Sequence, residues 1–166
     1  MSVTSTDRRN RGWLWFFLIL AALAAVAVSA LMRYNLGQQL RLEDVREARA
    51  RWQANGPRDY RLTYTMKKNN ESVDRYAVHV RGGKIELATV NGKPIPAERL
   101  AQADMDGLFS LIGEHLRLRA QPDQPRTFLR ARFDGADGHV RSYVRAPRGQ
   151  DRLEITIESL DPLPAR

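Results

Sequence analysis

The chain has 166 residues, no cysteine and a formal charge of +8, with 27 Lys and Arg against 19 Asp and Glu. Without cysteine there is no disulfide, no thiolate metal site, no cysteine nucleophile and no lipid-modified cysteine anchor. Setting aside the first 32 residues leaves enough chain for one domain with a modest core, and its scattered arginines read as a solvated basic surface rather than a polybasic arm.

From Trp13 to Met32 the sequence carries no charge and one polar side chain, Ser29. A helix of roughly twenty such residues spans ~30 Å, the thickness of a bilayer's hydrocarbon core, so 13–32 is expected to be a single transmembrane helix. Arg8, Arg9 and Arg11 form a denser cationic flank than Arg33 and Arg41. The positive-inside rule then places residues 1–12 in the cytoplasm and the C-terminal domain across the membrane, periplasmic or extracellular. Trp13, Trp15 and Tyr34 stand where interfacial aromatics do. A cleaved signal peptide is the competing reading, with Val28-Ser29-Ala30 as the small-residue site. An apolar run of about 17 residues is long for a signal peptide, which favours an uncleaved anchor; cleavage after Ala30 stays open, and either outcome exports the domain.

Asn35-Leu36-Gly37 reads as a break, followed by a juxtamembrane segment, 33–57, that packs on the domain. Within it Leu42, Val45, Arg49 and Trp52 recur at helical spacing, and Asn55-Gly56-Pro57 ends the helix, with Gly56 as a left-handed cap. Trp52 is expected to pack onto the core.

The domain proper, 58–166, begins with a change of period from 3.6 to 2. Tyr60, Leu62, Tyr64 and Met66 alternate with polar residues, which predicts a half-buried antiparallel strand. A polar turn at 68–71 leads to a second strand, about 72–80, with Tyr76, Val78 and Val80 facing one way. Gly82-Gly83 suits a tight hairpin into a third strand, about 84–90, and Asn91-Gly92 marks another turn. Pro94 and Pro96 predict a loop, since neither suits a central strand. Asp104 is a good N-cap for a helix over 104–118, whose stripe is Met105, Leu108, Phe109, Ile112 and Leu116. Three more strands follow at about 127–133, 139–145 and 152–159. Their inward residues are expected to be Leu129, Ala131 and Phe133; Val140 and Val144; and Leu153, Ile155 and Ile157. Pro162 and Pro164 end the structured chain. The expected fold is therefore α+β: an N-terminal transmembrane helix, then one antiparallel sheet of about six strands with two helices, in the order α-βββ-α-βββ.

A set of short motifs runs through this region: a helix-borne Trp (Trp52), Asp59-Tyr60 with Tyr64, the hairpin VRGGKI, and Asp106-Gly107-Leu108-Phe109. A final hairpin spans Phe133-Asp134-Gly135-Ala136-Asp137-Gly138-His139-Val140. Together they resemble a family of exported bacterial domains of unknown function, often membrane-anchored or lipoprotein-linked, whose last hairpin reads Tyr-Asp…Gly-Tyr-Pro. Asp134 and Gly138 fit that pattern, whereas Phe133, His139 and Val140 replace Tyr, Tyr and Pro. The resemblance implies fold and export and brings no activity with it.

No catalytic signature is present: no H-E-x-x-H, no G-x-S-x-G, no phosphate loop and no dinucleotide fingerprint. His79, His115 and His139 lack metal-ligand spacing and read as surface or half-buried residues. Asp134, Asp137 and Gly138 superficially suggest a calcium loop, but they lack the EF-hand register and suit a turn, so no metal or other cofactor is expected. The candidate binding surface is basic. Uniform alternation puts Arg130 and Arg132 on the outward face, joined by Arg141, Tyr143 and Arg145 from the next strand, a set suited to an acidic protein, glycan or lipid headgroup. Nucleic acid is not expected. The expected function is a membrane-tethered, non-catalytic binding or scaffold domain at the cell envelope. Two alternatives remain: an inhibitor or assembly factor adding to a sheet edge, and a small envelope hydrolase with a spatially assembled site. The hydrolase predicts a concave pocket holding a group of perturbed pKa.

Overall fold

A computed structural model of the chain describes residues 9–36, 39–69, 72–96 and 100–164, without the side chains of 9–12, 14 and 30–36. The expected cationic flank at Arg8, the break at Gly37 and the end of the first hairpin turn at 70–71 lie outside the described residues. The chain divides into two compact units, Met1–Gln39 and Leu40–Arg166, so the boundary falls within the segment 33–57 expected to be juxtamembrane.

The first unit holds one helix, α1 (Arg9–Leu36), with Trp13 packed edge-on against Phe17 at 4.6 Å. The expected transmembrane helix is corrected here: among the described residues no helix is long and apolar enough to cross a membrane. The expected localisation, a cytoplasmic N-terminus and a domain beyond the membrane, rested on that span and loses its basis with it.

The second unit is a two-layer α+β structure. It contains α2 (Leu42–Asn55), β1 (Tyr60–Lys68), β2 (Ser72–Arg81), β3 (Lys84–Val90), β4 (Lys93–Pro94), α3 (Met105–Arg119), β5 (Thr127–Phe133), β6 (Val140–Pro147) and β7 (Leu153–Pro162). The strands form one antiparallel sheet in the order β4-β3-β2-β1-β7-β6-β5. The sheet has seven strands where about six were expected. The extra one is the two-residue β4, whose Pro94 is tolerated because β4 lies at the sheet's edge and pairs only with β3. β1 and β7, far apart in sequence, pair at the centre.

Alternation along β1 buries Tyr60, Leu62 and Tyr64, and both helices cover that face. Asp104 caps α3, its carboxylate accepting the Gly107 amide at 2.8 Å, and the stripe Met105, Leu108, Phe109, Ile112 and Leu116 is buried. On α2 the buried residues are Val45, Ala48 and Trp52. The expected stripe differs at two places: Leu42 is exposed, and Ala48 rather than Arg49 faces the core. Trp52 meets Tyr60 edge-on at 5.4 Å. The amide of Leu40 donates to the Leu129 carbonyl at 3.0 Å, fastening the start of this unit to the outer edge of β5.

Candidate functional site

Register decides where the basic residues go. Leu129, Arg145 and Leu153 lie side by side across β5, β6 and β7, as do Ala131, Tyr143 and Ile155. Leu129, Tyr143 and Ile155 are all buried, so this is the helix-covered face. Arg130 pairs with Val144, and Arg132 with Ser142, on the opposite, open face. The five residues expected to share a face are thus divided. Arg130 and Arg132 point away from the helices, Tyr143 and Arg145 point towards them, and Arg141 stands between. The cause is a β-bulge: Arg132 pairs with Ser142 but Phe133 pairs with Val140, so Arg141 is an extra residue that reverses the phase of β6.

Arg141 is engaged within its own hairpin, where its guanidinium donates to Asp134 at 3.0 and 2.5 Å. Asp134 also accepts the amides of Ala136 at 2.7 Å and Asp137 at 3.4 Å. These amides, with Arg141 beside them, hold its carboxyl below the usual range. Asp137 accepts the His139 amide at 2.9 Å and lies 2.7 Å from His139 Nδ1. Ligand atoms of Asp134, Asp137 and His139 lie within 4.8 Å of one another, close enough for a cation. Each carboxylate, however, is already engaged in turn hydrogen bonds of the kind Asp makes in hairpins.

The more telling feature is a cavity of about 510 Å³ on the helix side of the sheet. Tyr64 and Met66 of β1, Tyr76 of β2, Val90 of β3, Ile95 just after β4, and Leu111 of α3 form its apolar lining. Tyr64 and Tyr76 stack with centroids 4.7 Å apart and planes 1° from parallel. Tyr64 is fully buried and Tyr76 half-buried, so Tyr76 is the ring a guest would meet. Lys68, Arg145 and Arg152 supply positive charge at the walls, against one carboxylate, Asp151, which accepts a hydrogen bond from Asn69. Arg152 also reaches Glu154 at 3.3 Å, whereas among the described residues no carboxylate pairs with Arg145 or Lys68.

His115 completes the wall. Its Nδ1 lies 2.8 Å from the Tyr143 hydroxyl, and the rings stack at 5.8 Å and 10°. Burial, with Arg145 adding to it, lowers the His115 pKa below the usual value, so the imidazole is neutral near pH 7. Burial likewise raises the Tyr143 pKa, keeping its hydroxyl protonated. The pair offers neutral hydrogen-bonding groups beside the Arg145 guanidinium, which forms no ion pair among the described residues. Of this cavity, sequence reasoning singled out only Arg145, with Tyr143 behind it. His115 was legible as a neighbour of the apolar stripe, since Leu111 and His115 are four apart on α3.

A second recess of similar volume lies between α2 and α3, lined by Val45, Arg46, Arg49, Phe109 and Arg117. Arg49 there lies 3.6 Å from Asp106, and Glu114 is the one carboxylate in the lining beside three arginines.

The class that fold and site define is a two-layer α+β domain with a partly apolar, cation-rimmed cavity between helix and sheet. Residues 44–122, less than half of the chain, match a family of unknown function (DUF6174). That match takes in α2 to α3 and ends before the β5–β6 hairpin. No curated protein matches the chain.

Proposed function

We propose that residues 40–166 form a non-catalytic binding domain whose recognition element is the cavity between α3 and the β1–β3 side of the sheet. The observation that carries this reading is the composition of the cavity wall. An apolar floor around Tyr76 adjoins Arg145, a half-buried cation without a carboxylate partner among the described residues. Ligand sites combine an apolar lining with a few polar groups that fix orientation, in volumes of roughly 300–1,000 Å³. Arg130 and Arg132, on the opposite face, line neither this cavity nor the recess between α2 and α3 and take no part in this site.

One observation favours a second reading, a small hydrolase: a histidine of lowered pKa, bonded to a tyrosine, faces the cavity. Against it, the described residues that line the cavity include no serine, threonine or cysteine to act as nucleophile.

A small-molecule screen on the full-length chain tests the proposal, with Leu111→Trp as the blocked control because the indole would fill the cavity. Hits that bind wild type and fail with Leu111→Trp support it. Hits indifferent to that substitution would refute it. Turnover of an ester analogue of a hit, lost in His115→Gln, would replace binding by hydrolysis.

A further inference from the structure

On that reading of the cavity, we infer that its ligand is a small molecule with a flat apolar body and one carboxylate. The body is set by the lining. Tyr76 lies flat against Tyr64, both rings line the cavity, and Met66, Val90 and Leu111 add apolar surface. A planar hydrocarbon or aromatic body gains offset-stacking contact there as well as burial.

The head group is set by charge and depth. Arg145 stands on the helix-covered face between Leu129 and Leu153 in register. There it is half-buried, lines the cavity and forms no ion pair with a carboxylate among the described residues. Its planar fork of donors matches the two oxygens of a carboxylate. His115 beside it is neutral and adds a hydrogen bond rather than a second charge. The other two cations, Lys68 and Arg152, are solvent-exposed, and Arg152 is shared with Glu154. One inner cation balances one negative charge. A dianionic phosphate brought to the same depth would leave a charge uncompensated, which is costly away from water. An ammonium group would meet Arg145 with like charge.

Calorimetry on the full-length chain with 2-naphthylacetate, its amide, 2-naphthylmethyl phosphate and 2-(2-naphthyl)ethylamine separates these cases. Wild type should bind the acetate, with the other three weaker by about tenfold or more. Arg145→Gln should bring acetate and amide to equal affinity, and Leu111→Trp should abolish binding. Near-UV circular dichroism checks that both variants keep native packing. If the amide, phosphate or amine binds as well as the acetate, or if Arg145→Gln leaves acetate binding unchanged, the carboxylate assignment is overturned. The cavity reading survives that outcome provided Leu111→Trp still blocks binding. Binding that survives Leu111→Trp, or no binding by any probe, overturns both.

Discussion

Nδ1 of His115, on α3, and the hydroxyl of Tyr143, on β6, lie 2.8 Å apart, and this bond ties the helix to the sheet at the wall of the cavity. Tyr143 is fully buried. Tyr143→Phe keeps the stacked ring and removes the hydroxyl, leaving a half-buried ring nitrogen without its partner. The expected loss is about 1–2 kcal/mol in urea denaturation, with the fold retained.

The same pair gives a pH dependence whose sign follows from His115. Its folded pKa lies below the unfolded value of about 6.5, so the unfolded chain binds the proton more readily. The contribution of His115 to stability is therefore complete above pH ~6.5 and is lost as pH falls from there towards the folded pKa. His115→Gln, which does not titrate, should flatten the stability profile below pH ~6.5. A wild-type profile that rises on acidification through that window would contradict the depressed pKa.

Gly138 joins the β5–β6 hairpin to α2. Its φ is +81°, and a β-carbon there would stand 2.2 Å from the carbonyl oxygen of Ala48. Gly138→Ala should cost more than about 2 kcal/mol, combining a strained backbone with a clash against main chain. Gly135, three residues earlier, has open space around it and no positive φ, so Gly135→Ala should be close to neutral in the same thermal melt.

Trp52 is buried beneath α2 against Tyr60, and Trp52→Ala should lose ~3–5 kcal/mol by chemical denaturation. Gly56→Ala should also destabilise, because its β-carbon would meet the Trp52 ring at 2.6 Å. The glycine ending α2 is thus required for closeness to Trp52. Its φ is −68°, so the left-handed cap expected from the sequence is absent.

Much of the sheet was readable because β1 and α3 follow their periods without interruption. Tyr60, Leu62 and Tyr64 alternate, Met105 to Leu116 recur on one helical face, and Asp104 caps where an N-cap is wanted. β6 was not readable in the same way. Its phase depends on Arg141 bulging out opposite Arg132 and Phe133, a property of two strands together that neither shows alone. The misplacement of Tyr143 and Arg145 on the open face followed from that single residue. The cavity was hidden for a related reason. Its walls come from β1, β2, β3, α3, β6 and the start of β7, brought together only because β1 pairs with β7 at the sheet's centre. The span expected at 13–32 rested on the apolar run, yet among the described residues no helix is long and apolar enough to cross a membrane.

The most direct test is an NMR titration of the full-length chain with 2-naphthylacetate, following the side-chain signals of Tyr76, Leu111, His115, Arg145, Arg130 and Arg132. Shifts concentrated on Tyr76, Leu111, His115 and Arg145 are expected, with Arg130 and Arg132 unmoved on the opposite face. Shifts confined to Arg130 and Arg132 would contradict the cavity as the site of recognition.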